Sequence, residues 1–450
     1  MPLISRRSFL AASAVSTFAA PLTAFARRTG RANLVEWADD YGPLHPVEDR
    51  ATGLTLLELP EGFWYVTFGW TGDLLSTGEL IPGSHDGMGA FAGPDDTVRL
   101  VRNHERSSGA PFAADPFDAN GGGGTITLTF DPRSARLIES FPSLTGTLRN
   151  CAGGRTPWGS WLSCEETVLG PPENRLQRQH GYVFEVPADG VSAREPLIDM
   201  GCFNHEAAAV DPASGIVYQT EDQEGAGVYR FIPYDEQHLS RGGRLQMLAI
   251  DGRPGYDARG PHTAGEKLPI VWVDIPEPNR PHANRSVSDG RGVQRQGFER
   301  GAAMFARLEG AYFGDDVLNV ISTNGGAAQM GQVWEVDDQH GTLRLIYESP
   351  GAEVLNMPDN VCLSPRGALV LCEDGTSRPS IHGLTRDGRI FRFARNNVVL
   401  NGERHGIVGD FRGSEFCGAA FSPDGNWLFV NVQEPGITFA ITGPWELGSL

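Results

Sequence analysis

Apolar residues in this chain come in short runs cut by Gly, Pro and Asp, and few windows repeat at i, i+3, i+4 and i+7. That pattern predicts a chain of hairpins rather than of helices. One unit recurs. Val210-Asp211-Pro212 and Gly215 make a turn, residues 216–222 read as a strand ending in acid, and residues 227–231 as its return. Leu363-Ser364-Pro365 and Gly367 repeat the turn, residues 368–372 the strand, Glu373-Asp374 the acidic end and residues 388–393 the return. A third copy opens at Phe421-Ser422-Pro423-Asp424-Gly425, runs over 427–432 to Glu434 and returns over 436–441. Partial copies fall at 159–166 with 181–186, at 317–323 with 331–336, and at 97–105 with 125–130. Irregular repetition of this kind predicts an all-β fold, a six-bladed β-propeller with loop insertions on one face. An ordinary β-sandwich with coincidental turns is the alternative.

Two stretches break the rhythm. Residues 27–60 form a lead-in, and residues 234–300, rich in Pro, Gly, Arg and Asp, are expected as a long insertion over one face. The rest, residues 61–450, reads as a single propeller domain. Its length and a 40% hydrophobic content are ample for a large core, and 57 Gly with 31 Pro suit many turns.

The first 26 residues read as an export address. Ser5-Arg6-Arg7-Ser8-Phe9-Leu10 precedes a mildly apolar stretch, and Ala24-Phe25-Ala26 offers a small-x-small cleavage site. This is the layout of a twin-arginine signal. It predicts a periplasmic or secreted protein that engages the twin-arginine export machinery and has no stable membrane insertion, since the apolar stretch is too short to span. That route carries folded proteins, so the six cysteines are open to either fate, free or metal-bound thiols or disulfides. The formal net charge of −19 argues against nucleic acid and anionic membranes as partners.

Equivalent loops of a propeller share one face, so the acidic strand ends should converge there: Glu105, Glu165 with Glu166, Glu221 with Asp222, Glu373 with Asp374, and Glu434. Converging carboxylates repel unless cations lie between them, and oxygen ligands of this kind suit Ca²⁺ or trivalent iron. Asn103-His104-Glu105 and Asn204-His205-Glu206 repeat one tripeptide that can ligate or support a metal. Met357-Pro358-Asp359-Asn360 offers further oxygen ligands or an Asx-type turn. Cys151 opens the Gly-rich stretch 150–159, read as a flexible loop, and Cys164 sits on the strand that follows, on the same face as Glu166. Either thiol could ligate iron or zinc. Arg307 and Glu309, two apart on a strand, would form a phosphate clamp or a surface ion pair.

Taken together, these residues resemble the PhoX family of alkaline phosphatases. The matching pieces are the twin-arginine signal, Asn150-Cys151-Ala152-Gly153-Gly154 leading into Trp158-Gly159-Ser160-Trp161 and Cys164-Glu165-Glu166, the second Asn-His-Glu, Arg307-Leu308-Glu309-Gly310, and Pro358-Asp359-Asn360. The resemblance implies a six-bladed propeller with iron (Fe³⁺) and calcium (Ca²⁺) at one face. It implies hydrolysis of small-molecule phosphomonoesters by metal-assisted attack at phosphorus. Carried over residue by residue, it makes Cys151, Glu166, Glu206 and Glu309 metal ligands and Arg307 the group that grips phosphate. Asp359 and Glu373 transfer more weakly, and the convergence of strand ends adds Glu105 and Glu221. Two other readings stay open: a calcium-dependent lactonase-type propeller, and a non-catalytic ligand-binding propeller.

Overall fold

A computed structural model describes residues 40–282, 290–375 and 377–450. The predicted export address and the first part of the lead-in lie outside the described residues.

The hairpins assemble into six antiparallel blades, the third and fourth of which are joined through one further strand into a continuous nine-stranded sheet. The first holds His85–Ala92, Val98–His104, Gly123–Asp131 and Arg136–Thr147. The second has three strands, Asn150–Arg155, Ser160–Glu165 and Val183–Pro187. The third is His205–Val210, Val217–Glu221, Tyr229–Pro233 and Gly243–Ile250. The fourth is Leu308–Gly314, Val317–Ser322, Gln332–Asp337 and Thr342–Glu348. The fifth is Pro358–Leu363, Leu369–Glu373, Ser380–Leu384 and Ile390–Asn396. The sixth is Phe416–Phe421, Leu428–Val432 and Ile437–Thr442. Trp64–Phe68, from the other end of the chain, completes that last blade, with Tyr65 opposite Ile441 and Thr67 opposite Phe439. Both ends of the described chain thus close one sheet, which ties the ring shut.

The first strand of each blade lines the axis and packs against the first strands of the blades on either side. Between blades the strand faces are apolar, so each sheet buries both sides. Phe68, Phe130, Trp427 and Phe429 interlock between the sixth and first blades. Trp334, Phe305 and Leu308 belong to the cluster between the third and fourth. Small residues let the inner strands approach closely. A Cβ on Gly87 would fall 2.6 Å from the Cα of Ala152, and one on Gly310 would fall 2.5 Å from the carbonyl oxygen of Asp359. Toward the opposite end the inner strands part around a cavity of about 470 Å³, walled by Ala, Gly and Pro with Tyr312 and Phe421.

Two stretches differ from the sequence expectation. Residues 234–300 contain strands Gly243–Ile250 and Lys267–Asp274 and a helix, Gly292–Phe298. The first of these strands is the outer strand of the third blade. The second pairs with it and, at Lys267–Pro269, with the outer strand of the fourth blade. Pro- and Gly-rich turns around these strands dilute their apolar pattern. In the fifth blade the return expected at 388–393 is the fourth strand, because Ser380–Leu384, short and carrying a buried His382, intervenes.

Candidate metal centre

Every inner strand carries an irregularity at the same point. His85 pairs with His104, but the next pair is Met88 with Arg102. The same slip separates Asn150 from Gly153, His205 from Ala208, Leu308 from Ala311, Pro358 from Val361 and Cys417 from Ala420. A bulge of this kind releases residues from the ladder and re-aims a side chain. The residues so placed are Asp86, Cys151, Glu206, Glu309 and Asp359, all ionisable and all buried; in the sixth blade Cys417, also buried, stays paired with Asn431 and the slip falls on the residues after it.

A second tier stands at the ends of the second strands. Backbone N–H groups there reach across to the residue preceding each inner strand. Glu105 donates to Ser84 (2.9 Å), Glu166 to Arg149 (2.9 Å), Asp222 to Asn204 (3.3 Å), Thr323 to Arg307 (2.9 Å), Asp374 to Met357 (2.9 Å) and Gln433 to Glu415 (3.2 Å). One ladder position therefore supplies Glu105, Glu166, Asp222 and Asp374, and its partner position supplies Arg149, Arg307 and Glu415.

The side chains meet in three overlapping groups whose ligand atoms lie within 4.8 Å of one another: Asp86, Glu105 and Cys151; Cys151, Glu166 and Glu206; Glu206, Glu309 and Asp359. Cys151 and Glu206 are shared, so seven side chains form one continuous array. The Cys151 thiol donates to Glu206 Oε1 at 3.1 Å. Glu206 Oε2 accepts no hydrogen bond, and neither oxygen of Asp86 meets a donor other than that neighbouring thiol.

Burial, ahead of any other cause, pushes the carboxyl pKa of Asp86, Glu166, Glu206 and Glu309 well above the ordinary range. Neighbouring carboxylates add to this, while Arg149 opposes it at Glu166. Asp359 is pushed up to about 7 by burial and then by Asp374. The Cys151 thiol is raised by burial and then by Asp86. These groups cannot all ionise side by side without positive charge among them. Two guanidinium groups supply part of it. Arg149 donates through Nε to Glu105 Oε1 at 3.0 Å and pairs with Glu166. Arg307 forms a fork on Asp222, both contacts at 3.0 Å, and reaches Glu309 Oε1 at 2.5 Å. Their side chains remain 39% and 30% exposed, so both arginines face the mouth. Hard carboxylate oxygens with one thiol suit a cation set containing both an oxygen-preferring and a thiolate-tolerant metal.

Of the residues singled out in the sequence, Cys151, Glu166, Glu206, Glu309, Asp359 and Glu105 come together in this array, and Arg307 borders it. Glu221 and Glu373 lie one residue before the second tier and point into their own blades. Glu221 accepts from the Tyr229 hydroxyl at 2.9 Å. Glu373 accepts from the backbone of Asn356 and Ser380, each at 2.8 Å, and lies 3.0 Å from His382 Nε2. Cys151 is on an inner strand rather than a flexible loop, whereas Cys164 is fully buried in the apolar cluster between the second and third blades. All six cysteines are unpaired. The two Asn-His-Glu tripeptides are not equivalent: Glu206 belongs to an inner strand, while Asn103 lies on a second strand and holds the carbonyls of Cys151 and Ala152 at 2.8 and 2.7 Å.

Sequence reasoning did not single out Asp86, Arg149, Glu415 or Cys417. A signal was present. An ionisable residue followed by a small one recurs as Asp86-Gly87, Cys151-Ala152, Glu206-Ala207, Glu309-Gly310 and Cys417-Gly418. Arg149 also stands two residues before Cys151, as Arg307 stands two before Glu309.

Comparison with known proteins adds to this geometry. The sequence model of a family described as alkaline phosphatase PhoX matches residues 39–126 and 131–436. Among solved structures, PhoX of Pseudomonas fluorescens in complex with vanadate, a transition-state analogue, superposes with a TM-score of 0.65 at 17% identity, over 91% of this chain and 99% of that one. A gluconolactonase of Xanthomonas campestris follows at a TM-score of 0.43 and 12% identity, over 90% of this chain and 98% of that one. A virginiamycin B lyase of Staphylococcus aureus aligns at 0.42 and 11%, over 84% and 99%. No curated protein matches the sequence.

Proposed function

The chain belongs to the alkaline phosphatase PhoX family and is a phosphatase; from that premise we propose that it hydrolyses small-molecule phosphomonoesters with iron and calcium held at the mouth of the propeller. The observation that carries this reading is the array of seven ligand side chains, six buried and Glu105 half-buried, built on two shared groups, Cys151 and Glu206. The residues fit such cations: Asp86 and Glu206 Oε2 present buried oxygens to which the protein offers no donor beyond the Cys151 thiol beside Asp86, and such atoms are costly unless a ligand satisfies them. Asp86, Glu105, Cys151, Glu166, Glu206, Glu309 and Asp359 would hold the metals. When bound, the cations neutralise phosphoryl oxygens and activate the attacking and leaving oxygens.

The chain's own contribution is positioning and charge. Arg149 and Arg307 are each anchored by two carboxylates and keep part of the guanidinium open to solvent. Anchored donors of this kind grip non-bridging phosphoryl oxygens without reorganising as negative charge builds on them. Asp222 and Glu105 orient the two guanidiniums. The metal-loaded enzyme with Arg307→Ala, and separately Arg149→Ala, is expected to lose about 10²-fold in kcat/KM toward p-nitrophenyl phosphate at unchanged metal content. Full activity in both variants would contradict the assignment.

Residues 1–26 are proposed to direct the folded, metal-loaded chain through the twin-arginine machinery to the periplasm or beyond. Six unpaired cysteines fit folding in a reducing compartment. Among the described residues no helix is long and apolar enough to cross a membrane. Replacing Arg6 and Arg7 with Lys should leave the protein in the cytosolic fraction; unchanged export would count against that route.

A further inference from the structure

The bulge that presents Cys151 leaves two backbone carbonyls in need of partners. Asn150 pairs with Glu165 and the next pair is Gly153 with Ser163, so Cys151 and Ala152 fall outside the ladder. Both residues are buried, and a buried carbonyl needs a donor. One side chain serves both. Asn103, on the second strand of the first blade, donates from Nδ2 to the carbonyl of Cys151 at 2.8 Å and to that of Ala152 at 2.7 Å. Its other end is equally engaged: Oδ1 accepts from Trp161 Nε1 at 3.0 Å and from Ser163 Oγ at 2.9 Å. Two donors and two acceptor sites are all that an amide offers, so every one is used and the side chain has a single orientation. Asn103 is fully buried, and Ser163 is held in turn by Asn150 Nδ2 at 2.9 Å.

The same device recurs where other ligand side chains leave their inner strands. Asn431, on the second strand of the sixth blade, donates from Nδ2 to the carbonyl of Asp86 in the first at 2.6 Å. Thr220 of the third blade donates its hydroxyl to the carbonyl of Glu309 in the fourth. Thr323, at the end of the second strand of the fourth, donates to the carbonyl of Pro358, immediately before Asp359, at 2.7 Å. In each case a polar side chain of one blade clasps the bulge of the next. The clasp on Cys151 is double, and Cys151 is the one thiol in the array. Bulged residues lack the ladder that fixes their backbone, and rotation there swings the side chain. A carboxylate tolerates this, because either of two oxygens can reach a cation. A thiol has a single ligand atom, so its direction depends on the backbone being held.

We propose that Asn103 is a positioning residue for metal binding: by clasping both bulge carbonyls it aims the Cys151 sulfur at the cation shared with Glu166 and Glu206. The proposal rests on the metal-dependent reading above. The group of Glu206, Glu309 and Asp359 contains no thiol, and its cation should be indifferent to the clasp.

The test dialyses metal-loaded wild type, Asn103→Ala and Trp161→Phe against graded EDTA and counts iron and calcium by elemental analysis. Val101→Ala is the control. Val101 lies two residues from Asn103 on the same face of the same strand, in the apolar cluster between the first and second blades. Its truncation loosens that contact without touching the amide. Asn103→Ala is expected to hold iron about 10- to 100-fold more weakly, to weaken the thiolate-to-iron absorption band, and to keep its calcium. Trp161→Phe removes one donor to Oδ1 but retains an aromatic ring, and should change iron retention in the same direction by less. Wild-type iron retention in Asn103→Ala would overturn the proposal, as would an equal loss of iron in Val101→Ala or a parallel loss of iron and calcium. Should Asn103→Ala fail to fold, Trp161→Phe decides, and unchanged iron retention in it would overturn the proposal. Wild type that binds no metal would overturn the metal-dependent reading itself, and the positioning role with it.

Discussion

Cys151 shows how a single side chain is placed by its neighbours. Its thiol lies between Asp86 and Glu105 on one side and Glu166 and Glu206 on the other. In that setting the protonated form is favoured until a cation is present, and a thiolate bound to metal is the state that relieves the crowding. Cys151→Ala should therefore remove at least one bound metal and lower kcat about 10²-fold or more, read by elemental analysis and by initial rates. Cys164→Ala should leave metal content unchanged, because that thiol sits in the apolar cluster between the second and third blades. At this scale the sequence was legible as to which residue types gather at the mouth, as with Glu206 in the array and Arg307 at its border, while it left Cys151 and Cys164 both open. It was less so where one position decides the direction. Glu221 and Asp222, or Glu373 and Asp374, are adjacent, yet a shift of one residue along a strand sends the side chain to the opposite face. Glu221 and Glu373 turn inward to Tyr229 and His382, while Asp222 and Asp374 face the mouth. Asp86 and Arg149 went unnoticed because the spacing between blades is irregular, which hides the ionisable-then-small pair.

The inner strand is the element that turns repetition into a site. Its bulge delivers one ionisable side chain in each of the first five blades, and in the first four the small residue after it allows the next blade to come close. Gly310→Ala is expected to destabilise the fold by about 1–3 kcal/mol, because the new methyl would meet the Asp359 carbonyl at 2.5 Å. Urea unfolding would measure this. The same change should depress activity, since Glu309 and Asp359 flank the contact. A variant with unaltered stability and rate would show that the close approach is unimportant. Hairpins were readable from turns and apolar runs, since those are local. The bulges were not, because they are defined by which residue pairs with which across strands. The closing strand Trp64–Phe68 was also hidden, for its partner Ile437–Thr442 lies at the far end of the described chain.

For the whole molecule, the buried acids couple stability to cations and to pH. Without metal, the carboxyl of Asp359 shifts from its usual 3.8 to about 7 in the folded state. The folded protein then binds more protons than the unfolded chain across that interval. The stabilisation is complete below the lower value and is lost as pH rises through the higher one. Raised values at Asp86, Glu206 and Glu309 act in the same sense. Chelated protein is thus expected to melt at a lower temperature near pH 8 than near pH 5, and added cations should restore the loss by binding the folded state. A chelated protein whose melting temperature rises over that range would contradict the picture of crowded acids. The global plan, six blades around an acidic mouth, was visible in the recurrence of hairpins ending in acid. The strands within residues 234–300 that join two blades were not, because turn-rich composition masks two short apolar runs.

Elemental analysis of the purified protein, paired with phosphomonoesterase assay of the same sample, bears most closely on the carboxylate-and-thiol array. Iron and calcium should be present in stoichiometric amounts, and both metal and activity should fall together in Cys151→Ala. Full phosphatase activity in a sample free of bound metal would contradict it.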